Sequence, residues 1–135
     1  MRRVNDMLRC CLVIGRSDCG KRTLIDVVRQ AVQGGITSVQ LRDKHANWQQ
    51  LANMGRCLQR ELPPHIPLII NTHVDVAKHI GSAVHIGQRD MPYALARQEL
   101  GDNAIIGLSI ENIVQAKQWA GCGADYYGIG PVFPT

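Results

Sequence analysis

The chain has 135 residues, 45% of them hydrophobic, and a formal net charge of +4. That length suits one domain with a real core, and the mild, scattered charge is unlike the basic stripe of a nucleic-acid-binding protein. Five cysteines, an odd number with no C-x-x-C pair, do not form a disulfide framework. The apolar run at residues 10–14 is too short to span a bilayer. We therefore expect a cytoplasmic protein with no membrane or nucleic-acid partner.

Short apolar runs alternate with longer amphipathic stretches along the chain. Strands are predicted at residues 10–15, 38–41, 68–71, 83–86, 104–109 and 126–130. Helices are predicted at residues 24–32, 48–62, 76–80, 92–100 and 113–120. Asn47 and Asn112 are suited to cap two of these helices, and glycines or prolines follow their ends. Continuous apolar strands that alternate with helices indicate a parallel sheet with helices outside it.

Polar side chains follow successive predicted strands at the same end. They are Gln40, Arg42, Lys44, Asn71, His73, Gln88, Asp90, Ser109 and Thr135. In an open doubly wound sheet they would be spread along an edge, whereas in a barrel they would meet at the carboxyl-terminal face, where barrel active sites lie. We therefore predict one α/β domain over residues 1–135, a (β/α)₈ TIM barrel truncated after the sixth strand.

The end of the second predicted strand carries Gln40, Arg42 and Lys44 at a spacing of two. In an extended chain these side chains face the same way. A guanidinium, an ammonium and an amide on one face suit a phosphate or diphosphate. The alternative interpretation is a solvated strand end whose charges are partnered by Asp43.

Asp90 follows the fourth predicted strand, and a carboxylate there is suited to bind Mg²⁺ that bridges diphosphate oxygens. The alternative is an acidic residue at a helix N-terminus, just before Pro92.

Two other patterns compete with these interpretations. Gly15-x-x-x-x-Gly20-Lys21 resembles a nucleotide phosphate loop, but Arg22 stands where that loop needs Ser or Thr. His73, His79 and His85 recur every six residues, which allows a zinc site only if the fold brings them together.

From Gly34 onward the chain resembles the thiamine phosphate synthase family. The matching stretches are GGITSVQLRDK at 34–44, PLIINTHVDVA at 67–77, VHIGQRD at 84–90, IIGLS at 105–109 and GADYYGIGPVFPT at 123–135. They occur in the family's order and at its spacing. The resemblance implies a transferase that joins a pyrimidine, activated as its diphosphate, to the nitrogen of a thiazole phosphate. The products are thiamine phosphate and diphosphate, and a pyrimidine cation forms as diphosphate leaves.

The resemblance also implies roles for individual residues. Residues 40–44 (Gln40, Leu41, Arg42, Asp43 and Lys44) bind the pyrimidine diphosphate, as do Asn71 and Ser109. Arg42, Lys44 and Ser109 are the catalytic candidates. Asp90 holds Mg²⁺, and Thr135 begins the loop that takes the thiazole phosphate. Self-association into a homo-oligomer is left open.

Two departures from the family pattern limit these expectations. Thr72 stands where the family usually has a second Mg²⁺-binding Asp, so we expect weaker metal binding. The chain stops at Thr135, so we expect strands seven and eight and the rest of the phosphate loop to be missing, and catalysis to suffer. Glu111 stands where the related thiazole tautomerases use a histidine, which weakens that alternative. A relative that binds the ligands without turnover stays open.

Overall fold

Six parallel strands form one sheet whose spatial order follows the chain, from the first strand to the sixth. The computed structural model describes residues 2–134, and side chains from residue 4. The strands are β1 (Cys11–Ile14), β2 (Ser38–Leu41), β3 (Leu68–Asn71), β4 (Ala83–Ile86), β5 (Ile106–Ile110) and β6 (Tyr126–Ile129). The helices are α1 (Arg2–Met7), α2 (Leu24–Gln33), α3 (Trp48–Glu61), α4 (Val74–Ile80), α5 (Tyr93–Leu100) and α6 (Ile113–Trp119). A short 3₁₀ helix, Arg16–Asp18, lies between β1 and α2.

The structure confirms all six predicted strands and the five predicted helices, with small shifts at their ends. Asn47 and Asn112 both cap their helices, each accepting a hydrogen bond from a backbone N–H three residues later. Helix α4 begins at Val74, two residues before its predicted start. Helix α1 and the 3₁₀ helix were not predicted. The sequence of α1 is mostly polar and too short to show an amphipathic period.

The core has two layers because strand side chains alternate between the two faces of the sheet. The larger layer lies between the sheet and helices α2–α6 and includes Leu41, Ile70 and Ile86, each fully buried. A smaller cluster on the other face joins Met7 to Ile69 and Ala83. The fold is therefore a half-barrel with helices around its outer face.

Helix α1 packs at the amino-terminal ends of the strands. The Met7 carbonyl accepts hydrogen bonds from Thr37 Oγ1 at 3.0 Å and Ser38 Oγ at 2.6 Å, and the Met7 side chain is buried. Helix α1 thus covers the amino-terminal end of the half-barrel. The carboxyl-terminal ends of the strands carry the polar residues.

Strands β1 and β6 each have one neighbour among the described residues. Apolar side chains are exposed near these edges, with Val13 on β1 51% exposed and Ile129 on β6 76% exposed. None of the described helices combines the length and apolarity needed to cross a membrane.

A charge pair fixes the loops that follow β1 and β2. The Asp43 carboxylate accepts from Arg16 Nε at 2.6 Å, from the Arg16 backbone N–H and from the His45 backbone N–H, and its side chain is 4% exposed. Gly15 makes this approach possible, because a Cβ there would collide with the Arg42 carbonyl. The hydrogen bond from Arg16 is the largest influence that lowers the pKa of Asp43, from an ordinary 3.8 to about 2.

We predict that Asp43→Asn lowers the free energy of unfolding by about 2 kcal/mol at neutral pH, since each pKa unit corresponds to about 1.4 kcal/mol. Because the pKa of Asp43 is lower in the folded protein than its ordinary value of 3.8, the ionised carboxylate stabilises the fold above that value. This stabilisation is lost as the pH falls through about 2. Urea unfolding should therefore show the wild type and the variant converging between about pH 4 and pH 2.

Glu99→Gln is the matched control, because it breaks a surface ion pair with Lys78 whose side chains are both at least half exposed. We expect it to change stability by less than about 0.5 kcal/mol. A constant difference between wild type and Asp43→Asn across this pH range would contradict the assignment.

Candidate active site

A cavity of about 260 Å³ lies at the carboxyl-terminal ends of β2 and β3. Six of its seven lining residues are polar, and the set is Arg42, Asp43, Lys44, Leu51, Asn71, Thr72 and His73. Two larger cavities, of about 530 and 790 Å³, lie toward the other ends of the strands. The 530 Å³ cavity has one lysine, Lys78, and that side chain is paired with Glu99. The 790 Å³ cavity has no lysine or arginine in its lining. The smallest cavity, which is lined by both Arg42 and Lys44, is therefore the best anion site of the three.

The basic residues after β2 alternate in burial as predicted. Leu41 and Asp43 are buried, whereas Arg42 and Lys44 are exposed. Within residues 2–134, no carboxylate lies within 4.0 Å of the charged group of Arg42 or Lys44. All the ion pairs found there involve other side chains. The alternative that Asp43 partners these two cations is wrong, since the Asp43 carboxylate is held by Arg16 on the β1 side.

The same alternation limits what two other predicted binding residues can do. The Leu41 side chain is fully buried in the outer core layer, so a ligand in the cavity could meet only its backbone. The Asp43 carboxylate is nearly inaccessible and already accepts hydrogen bonds from Arg16 and His45. Gln40, on β2, is half-buried.

A hydrogen-bond chain links the end of β3 to the loop after β4. Asn71 Nδ2 donates to Thr72 Oγ1 at 3.0 Å, and Thr72 Oγ1 donates to Asp90 Oδ2 at 3.1 Å. The Gly87 backbone N–H also donates to Asp90 Oδ2, at 2.6 Å. Asp90 therefore faces β3 instead of capping α5, whose N-cap residue is Pro92. Lys44, Asn71 and Asp90 lie at one rim, as the sequence predicted.

Thr72 adopts a backbone conformation that is unusual for its side chain. Its φ of 70° lies in the left-handed region, and it is the one non-glycine residue with positive φ in the described part of the chain. The left-handed region costs an L-residue roughly 1–2 kcal/mol, and β-branched residues tolerate it worst. Asn and Asp adopt it more readily. The Thr72 N–H donates to the His85 carbonyl at 2.7 Å, and this bond helps to hold the conformation.

Ser109, near the end of β5, is held by two separate sets of contacts. Its Oγ lies 2.8 Å from His85 Nε2, and His85 Nδ1 lies 3.1 Å from the Tyr126 hydroxyl. Its carbonyl accepts from Gln88 Nε2, and Gln88 Oε1 accepts from Trp119 Nε1 at 3.0 Å. Burial lowers the pKa of His85, and the charge of Asp90 opposes this shift only in part. The imidazole is therefore neutral near pH 7.

Two glycines make room for these rings. A Cβ at Gly107 would collide with the Tyr126 ring, and a Cβ at Gly128 would lie 3.0 Å from His85 Cε1. Gly107 pairs with both His85 and Tyr126 in the strand register, so the tyrosine ring crosses β5 directly over it. Tyr126 can reach His85 only because that position has no side chain.

The structure gives little support to the two competing patterns. In the Gly15–Lys21 loop, the Gly15 and Arg16 backbone N–H groups that a nucleotide phosphate would need already donate to Asp18 and Asp43. The histidines do not converge, since His79 contacts Arg56 whereas His85 contacts Ser109. No group of three His, Cys, Asp or Glu side chains suited to hold a metal occurs in the part of the chain described.

Sequence reasoning missed the side chains that support Ser109: His85 as its partner, Tyr126 and Trp119. The available signal was the alternation of β4, which places His85 on the same face as Ala83 and opposite the outer core. Thr135, predicted to begin the thiazole phosphate loop, lies outside the described residues.

We predict that Thr72→Asn raises the free energy of unfolding by about 0.5–1 kcal/mol. The relief of left-handed strain exceeds the cost of an altered hydrogen bond to Asp90. Thr72→Val keeps the β-branch and removes the hydroxyl, so it should destabilise the protein. Equilibrium unfolding in urea measures both variants. Equal destabilisation by Asn and Val would mean that the hydroxyl matters and the backbone strain does not.

Comparison with known proteins places this chain in a family. The family model described as thiamine monophosphate synthase matches residues 10–135. The chain is 44% identical over 130 residues to the thiamine-phosphate synthase of Albidiferax ferrireducens, covering 95% of this chain and 59% of that protein. It is 41% identical over 134 residues to that of Syntrophomonas wolfei, covering 98% of this chain and 64% of that protein.

A solved structure is also similar. Thiamine phosphate pyrophosphorylase from Pyrococcus furiosus superposes with a TM-score of 0.83 at 30% sequence identity, covering 98% of this chain and 64% of that one. The chain thus spans about three-fifths of the length of the relatives it matches. On the match of residues 10–135, the chain belongs to the thiamine monophosphate synthase family.

Proposed function

We propose that the chain carries the pyrimidine diphosphate site of a thiamine phosphate synthase, a transferase of thiamine biosynthesis. The observation that supports this most directly is the pair of cations, Arg42 and Lys44, without a carboxylate partner in residues 2–134 and facing a cavity shared with Asn71. The names of the similar proteins supply the product, thiamine phosphate. The family resemblance supplies the substrates, which would be a pyrimidine diphosphate and a thiazole phosphate.

In the proposed reaction, the bond between the pyrimidine methylene carbon and a diphosphate oxygen breaks, and its electron pair leaves with the diphosphate. The thiazole nitrogen then supplies the electron pair of the new carbon–nitrogen bond. Negative charge grows on the leaving group, so cations aimed at it stabilise the transition state more than the ground state. Arg42 and Lys44 would do this, while Gln40, Asn71 and Ser109 would orient the pyrimidine diphosphate.

The oxygen donors around Asp90 fit a Mg²⁺ ion that is shared with substrate. Asp90 contributes a carboxylate, and the Thr72 hydroxyl, 3.1 Å from Asp90 Oδ2, contributes one neutral oxygen. Mg²⁺ is commonly held by one or two carboxylates together with substrate phosphates, so a full cage of protein ligands is not needed. When bound, the ion would neutralise charge on the diphosphate. Asp90 would be its main protein ligand.

Thr135 would begin the contact with the thiazole phosphate. The half-barrel would be the first six units of an eight-stranded barrel, which is supported by its similarity to a longer solved chain. The absence of a carboxylate at Thr72 supports a second candidate, a relative that binds pyrimidine diphosphate with little turnover. Coupled assay of both substrates distinguishes these candidates, because only the first yields thiamine phosphate.

We predict that Arg42→Ala weakens the binding of the pyrimidine diphosphate by about 1.5–3 kcal/mol, the usual size for a hydrogen bond to a charged group. Isothermal titration calorimetry measures the change. Arg42→Lys should recover part of the affinity, because it restores the charge but not the planar fork of donors. Lys21→Ala is the matched control and should bind as the wild type does. Loss of binding in Lys21→Ala alone would instead favour a nucleotide site at the Gly15–Lys21 loop.

We predict that Thr72→Asp strengthens Mg²⁺ binding in the presence of diphosphate, because it adds a second carboxylate beside Asp90. Thr72→Asn is the control, since it has a similar shape and the same tolerance of positive φ but no charge. Metal titration followed by calorimetry should show tighter binding for Asp only. Equal affinities in the two variants would refute a metal site between positions 72 and 90.

A further inference from the structure

We propose that Tyr126 and His85 form a one-way hydrogen-bond relay that fixes the Ser109 hydroxyl as a donor toward the ligand. The two residues act through Ser109 and are positioning residues. The direction of the relay follows from the chain's own side chains. The identity of the ligand rests on the proposed function.

The relay begins at the Tyr126 hydroxyl, which carries one proton. Among the described residues, its hydrogen-bond partner is His85 Nδ1, at 3.1 Å. Burial is the main reason that the pKa of Tyr126 is raised, so the phenol keeps its proton throughout the physiological range. If His85 Nδ1 were protonated, the Tyr126 proton would have no acceptor within residues 2–134. The satisfied arrangement has Tyr126 O–H donating to an unprotonated Nδ1.

The tautomer of His85 then follows. A neutral imidazole has one N–H donor and one acceptor nitrogen, and the partner of one nitrogen fixes the role of the other. With Nδ1 accepting, Nε2 carries the proton and donates to Ser109 Oγ at 2.8 Å. A second ring proton would lie on Nδ1 and leave the Tyr126 proton without an acceptor among the described residues, so the ring carries one proton only. Burial, which lowers the pKa of His85, favours the same state.

Ser109 is thereby left with its own proton to donate elsewhere. Its carbonyl is held by Gln88 Nε2, and the orientation of Gln88 is fixed because Trp119 can only donate to its oxygen. The hydroxyl and the carbonyl of Ser109 therefore each accept a hydrogen bond from a side chain whose own orientation is fixed by a further donor. The serine is half-buried on the same face as His85, so its O–H can reach a ligand.

The relay has a consequence for the ligand. Because the Ser109 hydroxyl is fixed as a donor, it favours a ligand that places an acceptor atom, such as an sp² ring nitrogen, beside it. It disfavours a ligand with a C–H group at the same place. A site built to hydrogen-bond one atom rejects analogues that lack it, because its own polar group is left unpaired. The relay would thus select a pyrimidine over a benzene ring carrying the same diphosphate.

The tautomer can be tested without any ligand. The ¹⁵N chemical shifts of the His85 ring in the labelled protein, at about pH 8, should show a protonated Nε2 and an unprotonated Nδ1. Tyr126→Phe should remove this preference and mix the two tautomers. Tyr127→Phe is the matched control, because that hydroxyl donates to the Trp119 carbonyl instead and should leave the His85 shifts unchanged. A protonated Nδ1 in the wild type would overturn the proposal.

Binding separates the proposal from the proposed function. Tyr126→Phe should weaken the pyrimidine diphosphate by about three- to tenfold, the range expected for one neutral hydrogen bond, and leave inorganic diphosphate unchanged. An equal loss for both ligands would mean a structural role only and would overturn the proposal. If the wild type binds inorganic diphosphate but not the pyrimidine compound, the proposed substrate is wrong, while the ¹⁵N shifts still decide the relay.

Discussion

The pairing of Asp43 with Arg16 determines the electrostatics of the site. Asp43 sits between two cations in the sequence, and a simple count of charges would cancel one of them. The strand alternation after β2 directs the carboxylate to the buried side, where the guanidinium from the β1 loop meets it. Arg42 and Lys44 then face the cavity with their charge uncompensated by any described side chain. The pair also ties two successive β–α loops together, so it gives the anion site both its charge and its rigid frame.

Local patterns in the sequence were enough to predict the six strands, helices α2 to α6 and the face on which the β2 residues lie. Asn47 and Asn112 could be recognised as caps because a cap depends on residues three positions apart. The partner of Asp43 could not be recognised, because Arg16 is 27 residues away and the match depends on how β1 and β2 pair. The positive φ of Thr72 was equally hidden, since a β-branched residue gives no sign of a left-handed turn.

The support of Ser109 shows the same limit of local patterns. His85 appeared in the sequence as one member of a regularly spaced histidine set, which suggested metal binding. In the fold, its neighbours come from β5 and β6, and they turn the ring into a hydrogen-bonding link. Trp119 and Gln88 are 31 residues apart and meet only because α6 packs beside the loop after β4. The contacts of polar residues on the face of the sheet opposite the helices depend on how the strands pair. No single segment of the sequence encodes that pairing.

The bare backbone at Gly107 has an evolutionary consequence. Its missing side chain is the space in which the Tyr126 ring lies, so the two positions share one volume across β5 and β6. A homologue with alanine or a larger residue at the first position has to carry a smaller one at the second, and it then loses the phenol that reaches His85. Across related sequences, positions 107 and 126 should vary as a pair, and a serine at position 109 without both of them would need a different neighbour to orient it.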